Sequence, residues 1–389
     1  MIPGDLDFGV ELQVHHPRSA YFHVPFCAHR CGYCDFTLVA GRDDLVGDYL
    51  RSLDIEMTRT GVPEHTQLDT MFFGGGTPTH PEPIELRELF RIALQRFDLA
   101  ETNEFSVEAN PLDLTDQKIK LLVDTGVNRV SLGVQSFSRQ VLERLERNHS
   151  PEDVTNVMNR LRPNFANVSL DLIFGVPGQT LASWRDTLRQ AIEHQPVHIS
   201  TYGLTFEKGT AFWTRRERGE LLPTDEELER DQYALAMEEL ASAGFEQYEI
   251  SNFAKPGYQC RHNNVYWNGD EYWAFGPGAA SYLNGRRQTN IRSVLGWLGR
   301  LERNASPVAD SEELDAEHRA RELIYLGLRR NIGVNRAAFR DRTGFEIDEL
   351  CGESLNQQIR LGLLEETDSF IRLTPAGRYV ADRVVMEFL

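Results

Sequence analysis

Between residues 20 and 204 the chain alternates short apolar runs with longer amphipathic segments. The runs of strand length are 20–24, 70–73, 105–108, 129–132, 168–174 and 199–204. The amphipathic segments are 45–60, 83–96, 115–124, 139–145 with 151–161, and 181–194. A repeated switch from period 2 to period 3.6 predicts βα units around a parallel sheet. Because six units are visible and a closed barrel needs eight, we predict an α/β fold with a partial (βα)6 barrel. Its functional residues should gather at the carboxyl ends of the strands.

After residue 204 the chain no longer alternates strand-like and helix-like segments in a regular way. Residues 225–243 predict a helix, since acidic residues crowd its start and a glycine follows its end. Residues 248–281 are rich in Gly, Asn and aromatic residues without periodicity, so we expect loops and short strands. Residues 285–311 predict a connecting helix and a linker.

The last segment predicts a smaller helical, winged-helix-like C-terminal domain. Its helices are expected at 316–329, 336–343 and 348–361, with a two-stranded wing at 363–373 and a helix from Pro375. The helix in the DNA-reading position carries Asp348, Glu349 and Glu353 against Arg360, the reverse of what a major-groove reader needs. We therefore expect packing or partner docking. The predicted domains are 1–224, 225–311 and 312–389.

Charge and hydropathy restrict the function classes further. The net charge of −18 opposes general binding to phosphate backbones, so we expect no nucleic-acid partner. No apolar run reaches the ~18 residues of a membrane span. Residues 1–17 carry acids and no apolar core of a secretory signal, so we expect a cytoplasmic protein.

Three of the five cysteines fall in one short stretch, Cys27, Cys31 and Cys34. An odd cysteine count in a chain of this length does not suggest a disulfide framework. Three thiolates on one loop can bind three irons of a 4Fe–4S cube and leave the fourth open as a Lewis acid. The alternative is structural zinc, with His23 or His29 completing the ligand set. Zinc is disfavoured because no second pair of cysteines exists.

Polar residues recur where the predicted strands end. The second strand runs into a glycine-rich segment at 72–78, whose backbone can approach a ligand closely. Glu108, Gln135 and Asp171 end or lie on the following strands, and Arg147 lies just beyond one of them. Any one of these residues is compatible with an ordinary strand end. Their recurrence at successive strand ends favours a binding site.

The Cys-x3-Cys-x2-Cys spacing after the first strand is the hallmark of the radical S-adenosylmethionine (SAM) superfamily. The motifs resemble its coproporphyrinogen oxidase-like branch, and within that branch its heme chaperones. The resemblance covers nearly the whole chain. It includes His-Val-Pro-Phe-Cys, Phe-Phe-Gly-Gly-Gly-Thr-Pro, Glu-Ala-Asn-Pro, Ser-Leu-Gly-Val-Gln-Ser-Phe and Asp-Leu-Ile-Phe-Gly-Val-Pro-Gly-Gln-Thr.

The resemblance implies a cofactor set and its ligands. Cys27, Cys31 and Cys34 would hold a 4Fe–4S cluster whose open iron chelates SAM. One electron from the cluster would then cleave SAM to a 5′-deoxyadenosyl radical. The implied SAM contacts are Tyr21, Tyr33, Gly75, Gly76, Thr77, Glu108, Gln135, Arg147 and Asp171, with Gly203 as a weaker candidate.

Two features favour the chaperone over the oxygen-independent coproporphyrinogen III oxidase. The oxidases carry a further cysteine where this chain has Phe36, and they have a longer N-terminal arm than the 20 residues before Tyr21. The resemblance thus implies heme binding and transfer to acceptor hemoproteins, for example respiratory ones. Oxidase activity is the disfavoured alternative, and a radical enzyme with another substrate is a third. A homodimer and peripheral membrane contact stay open.

The resemblance also implies a heme ligand. His262, in a His-Asn-x-x-Tyr-Trp motif, matches the family's heme-binding motif, and histidine is a common axial ligand. The alternative is a histidine hydrogen-bonded within a loop, and Cys260 is a second ligand candidate. Tyr266 and Trp267 could line a macrocycle or belong to the core. From charge alone, Arg261, Arg286 or Arg287 could pair with heme propionates.

Overall fold

The computed structural model describes residues 17–389, and the predicted βα alternation is present in it. The strands are β1 (Ser19–Val24), β2 (Phe26–Cys27), β3 (Val39–Ala40), β4 (Thr66–Gly75), β5 (Phe97–Ala109), β6 (Arg129–Gln135), β7 (Asn167–Phe174), β8 (His198–Gly203), β9 (Glu246–Gln247), β10 (Asn252–Ala254), β11 (Trp273–Phe275), β12 (Ala280–Leu283), β13 (Arg286–Asn290), β14 (Val308–Glu313), β15 (Val334–Asn335), β16 (Leu364–Glu366) and β17 (Phe370–Leu373). The helices are α1 (Val46–Thr60), α2 (Pro83–Leu94), α3 (Asp116–Thr125), α4 (Arg139–Arg144), α5 (Pro151–Leu161), α6 (Leu181–Glu193), α7 (Ala211–Glu217), α8 (Glu226–Ser242), α9 (Arg261–Trp267), α10 (Val294–Glu302), α11 (Ala316–Leu328), α12 (Arg336–Thr343), α13 (Ile347–Arg360), α14 (Pro375–Arg378) and α15 (Ala381–Met386).

The main sheet confirms the partial barrel and is wider than predicted. Its nine strands follow the order β11-β1-β4-β5-β6-β7-β8-β10-β9. The six predicted strands are parallel neighbours, and β11 adds a parallel strand beside β1. On the other side β10 is antiparallel to β8, and β9 forms the edge antiparallel to β10. The carboxyl ends of the six strands therefore share one edge, where the predicted site residues lie.

The segment predicted as loops and linker contributes more regular structure than expected. Besides β10 and β11 it supplies the three-stranded antiparallel sheet β12-β13-β14. The motif around His262 is not in a loop but on α9. Strands β10 to β14 have three to six residues, too short for a period to be visible in the sequence. The domain boundaries at 224 and 311 stay predictions.

Helix ends follow the local sequence. At α5, the Ser150 hydroxyl accepts from the Asp153 backbone N–H while the Asp153 carboxylate accepts from the Ser150 backbone N–H, and Pro151 occupies the first turn.

The core between the helices and the sheet contains stacked aromatic side chains: Phe22 stacks on Phe73 with ring centroids 4.6 Å apart. This packing fixes the outer face of the barrel and leaves its inner face for polar residues.

The C-terminal domain has the predicted winged-helix order. Helices α11, α12 and α13 are followed by the wing β16-β17, to which β15 adds a third strand. Its separate core includes Ile324, Leu328, Phe339 and Phe388.

Over residues 17–389, no helix is long and apolar enough to cross a bilayer. The prediction about a secretory signal falls on residues 1–17, which lie outside the described residues apart from Pro17.

Candidate cofactor site

The three clustered cysteines lie on one loop at the carboxyl end of β1. Strand β2, which contains Cys27, pairs with β3, so the two ends of the loop are tied together. Within the loop the Cys34 backbone N–H donates to the Cys31 carbonyl at 3.1 Å. All three side chains line one large cavity. The loop thus presents three thiols from a constrained backbone.

The thiols have specific polar neighbours. Cys27 Sγ lies 3.3 Å from Thr77 Oγ1, and Arg147 Nη1 donates to Cys31 Sγ at 3.7 Å. Burial raises the pKa of the Cys27 thiol to about 11. A buried thiolate therefore needs a metal or a cation beside it, and Arg147 supplies a fixed positive charge.

The donors of the loop suit a cubic cluster better than zinc. His23 is buried, with Nδ1 3.0 Å from the Tyr21 hydroxyl and Nε2 2.7 Å from the Thr37 carbonyl oxygen, so neither ring nitrogen is free to bind metal. His29 is exposed at the cavity rim. Three thiolates with one open iron fit this donor set.

The glycine-rich segment lies against β1 without room for side chains. Gly75 has φ of 107°, and a Cβ there would lie 2.5 Å from His23 Cε1. A Cβ on Gly76 would lie 2.8 Å from the Phe26 carbonyl oxygen. Glycine is therefore required at both positions, and the backbone here borders the cavity directly.

Two partly buried carboxylates face the same cavity. Glu108 Oε2 accepts from the Gly75 backbone N–H at 3.0 Å, and Asp171 Oδ1 accepts from the Ser200 hydroxyl at 2.8 Å and from the Ser131 hydroxyl at 3.1 Å. Burial, and then the nearby Asp171, raise the pKa of Glu108 to about 8. Both carboxyl groups would gain from a ligand that brings ammonium or hydroxyl donors.

Gln135 and Arg147 complete this side of the cavity. Gln135 ends β6 beside a register shift and has φ of 63°, which is uncommon for a residue other than glycine and is found at functional sites. Arg147 Nη2 donates to the Gly133 carbonyl at 3.0 Å and also bonds Asn110 Oδ1. Asn110 in turn donates to Thr77 Oγ1 at 2.8 Å. The sequence prediction missed Asn110, although it ends the Glu-Ala-Asn-Pro motif directly after β5.

The structure brings together most of the predicted cofactor contacts, and Tyr21 and His262 lie apart from them. Those lining the cavity are Cys27, Cys31, Tyr33, Cys34, Gly75, Gly76, Thr77, Glu108, Gln135, Arg147, Asp171 and Gly203. The Tyr21 ring packs against Phe72 and His262.

His262 is buried in the barrel interior with both ring nitrogens engaged. Nδ1 lies 2.7 Å from Thr70 Oγ1, Nε2 lies 2.8 Å from the Tyr266 hydroxyl, and the residue is 1% exposed. Burial, with a smaller effect of the Arg129 charge, lowers the pKa of His262 to about 3. Cys260 is also buried, 3.5 Å from Glu104. In this geometry the hydrogen-bonded alternative describes His262.

None of the three arginines considered for propionates lines the large cavity. Arg287 pairs with Glu312 at 2.9 Å and with Glu322 at 2.6 Å. Arg261 donates to the Thr102 carbonyl. Arg286 is exposed and donates to the Ser311 hydroxyl at 2.6 Å.

The cavity continues from the cysteine loop to the C-terminal domain and has a volume of about 970 Å³. Its far side is formed by residues 378–383, which we call the C-terminal wall. Four large, exposed apolar or aromatic side chains line the cavity: Phe36, Tyr202, Tyr379 and Val380. Small-molecule sites span ~300–1,000 Å³, so the cavity has room for more than one small ligand.

Comparisons with known proteins agree with these features. The family model of the radical SAM superfamily matches residues 21–191, and that of the HemN C-terminal domain matches residues 314–380. A heme chaperone HemW from Bacillus subtilis is 37% identical over 381 residues, covering 96% of this chain and 99% of that protein. One from Escherichia coli is 32% identical over 385 residues, covering 96% and 98%. The solved E. coli coproporphyrinogen III oxidase (HemN), a radical SAM enzyme, superposes with a TM-score of 0.84 at 21% identity, covering 96% of this chain and 90% of that one, which shows the fold.

Proposed function

The chain belongs to the HemW family of radical SAM proteins, and from this membership we propose that it is a heme chaperone. It would bind heme, carry a 4Fe–4S cluster with SAM, and pass the heme to acceptor hemoproteins such as respiratory ones. The observation that carries the proposal is the cavity that runs from the cysteine loop to exposed aromatic and apolar side chains at the C-terminal domain. An apolar macrocycle needs such an opening, since its faces gain free energy on leaving water.

We assign the cofactor contacts to the residues that line the cavity. Cys27, Cys31 and Cys34 would hold the cluster, which when bound supplies an open iron and one electron to SAM. Arg147 would offset the negative charge of the thiolates. Glu108, Asp171 and the backbone at 75–77 would accept and donate hydrogen bonds to the polar groups of SAM.

The role of Tyr21 in this proposal is indirect. Its hydroxyl lies 3.0 Å from His23 Nδ1, and His23 fills the space that a Cβ on Gly75 would take. Tyr21 would therefore orient His23 against the glycine-rich segment.

Heme ligation by His262 stays a proposal with a structural condition. Nε2 must give up its contact with the Tyr266 hydroxyl before it can bind iron, whereas Nδ1 can keep its contact with Thr70. Ligation by this residue therefore requires the Tyr266 side chain to move away.

The test compares delivery with oxidase chemistry on the same preparation. The cluster is reconstituted without oxygen, heme is titrated in, and transfer to an apo-hemoprotein is followed by the absorbance of the acceptor. We expect about one heme per chain and transfer to the acceptor. A parallel incubation with coproporphyrinogen III, SAM and a reductant should yield no vinyl product. Absence of heme binding with an intact cluster, or formation of that product, would overturn the proposal.

A further inference from the structure

The C-terminal wall carries positive charge that the protein does not neutralise. Arg378 and Arg383 both line the cavity, and over residues 17–389 no carboxylate lies within ion-pair distance of either guanidinium. Their neighbours in the same cavity are paired, Arg329 with Asp382 and Arg230 with Asp231. Both guanidinium groups are therefore available to an anionic ligand in the cavity.

The Arg378 guanidinium has unused hydrogen-bonding capacity. Its Nη1 donates to Gln247 Oε1 at 3.0 Å, which anchors the side chain to the barrel. Its Nε is buried without any hydrogen-bond partner in the described part of the chain. Nε therefore does not face the cavity, and the donor that a ligand can meet is Nη2, which makes no hydrogen bond with the described residues.

Next to these cations lies an aromatic and apolar surface. The rings of Phe174 and Tyr233 stack with centroids 5.9 Å apart and an interplanar angle of 16°. Tyr379 meets Tyr233 edge-on at 5.8 Å. Tyr379 is 40% exposed and Val380 is 41% exposed, so this surface is open toward the cavity.

These features together suit a flat apolar molecule with carboxylates at one edge. We propose that Arg378 and Arg383 bind the propionates of heme, so that the cargo lies between the C-terminal wall and the cysteine loop. The inference rests on the heme chaperone function proposed above and names its binding site. This placement is an alternative to ligation by His262 or Cys260, which are buried outside the cavity.

The test measures hemin affinity of the full chain with its cluster reconstituted. Arg383→Gln is the main variant, because this exposed side chain makes no hydrogen bond in the described structure and its loss should not disturb folding. Arg378→Gln and the double variant accompany it. The matched control is Arg360→Gln, an exposed arginine of the same domain outside the cavity.

Each single substitution should raise the hemin Kd about threefold to tenfold, and the double substitution by more, as expected for lost charge-assisted hydrogen bonds. The control should bind hemin as the wild type does. Hemin dimethyl ester, which lacks the carboxylate charges, should bind wild type and double variant with equal affinity. That last comparison separates a direct contact from a folding defect.

Two results would contradict the assignment of the propionate site to Arg378 and Arg383. Hemin affinity could be unchanged in the double variant, or the ester and hemin could lose affinity equally. Either result leaves the chaperone function standing if the wild type binds heme. Failure of the wild type to bind hemin at all would instead remove the function on which the site rests.

Discussion

Thr70 Oγ1 lies 2.7 Å from His262 Nδ1, which ties α9 to strand β4 inside the barrel. The opposite ring nitrogen meets Tyr266, which belongs to α9 itself. His262 thus closes the amino-terminal end of the barrel lumen, away from the cysteine loop. The residues of its motif can therefore serve the packing of α9 as well as the binding of heme.

Replacing His262 with Ala should destabilise the protein by about 2–4 kcal/mol, because it leaves a void and removes the partner of the Tyr266 hydroxyl, while the Thr70 hydroxyl keeps its bond to Ser19. Chemical denaturation of the apo-protein measures this. Tyr266→Phe, which removes only the second bond, should cost about 1 kcal/mol. If His262→Ala leaves the stability unchanged, its packing role is wrong, and a loss of heme binding in that variant would then point to ligation.

Gly75→Ala should destabilise the protein by about 2 kcal/mol or more, since the new Cβ meets the His23 ring and Gly75 has a positive φ. The matched control is Gly219→Ala, where φ is 70° and nothing lies within 4 Å of the new Cβ. The control should show only the backbone strain, about 1 kcal/mol. Equal losses in the two variants, measured by thermal unfolding, would contradict the close packing at Gly75.

Arg147→Gln should weaken SAM binding at least about tenfold, because the fixed charge beside the thiols and the bonds to Gly133 and Asn110 are lost. Equilibrium binding of SAM to the reconstituted protein provides the measurement. Arg139→Gln serves as control, since that arginine pairs with exposed Glu152 on the surface. Undiminished SAM affinity in Arg147→Gln with a complete cluster would remove Arg147 from the site.

Glu56 should make the stability depend on pH. It is buried, accepts from the Gly276 N–H at 2.9 Å and also bonds Asn290, and burial raises its pKa to about 7. A raised folded-state pKa means that its contribution is full below the unfolded value near 4.5 and is lost as the pH rises through 7. The stability of wild type minus that of Glu56→Gln should therefore fall by about 2–3 kcal/mol from pH 4.5 to pH 7.5. A pH-independent difference would show that Glu56 titrates normally.

The sequence predicted the barrel well because its strands and helices are long enough to show their periods. It also predicted the cysteine loop and the polar strand ends, since parallel strands bring their carboxyl ends to one edge. It could not place α9 or β11, because their positions depend on contacts with distant strands, such as Trp273 beside Ala20. The C-terminal wall was missed for the same reason: Arg378 meets Gln247 only after the two domains pack.

The cysteine loop and the C-terminal wall open into the same space, and this has a thermodynamic consequence. Two ligands that touch each other in one cavity are coupled: each changes the affinity of the other by the same factor, whichever arrives first. If the two ligands repel each other sterically, SAM would lower the affinity for heme. If they make favourable contacts, SAM would raise it. The cofactor would then set when the cargo leaves.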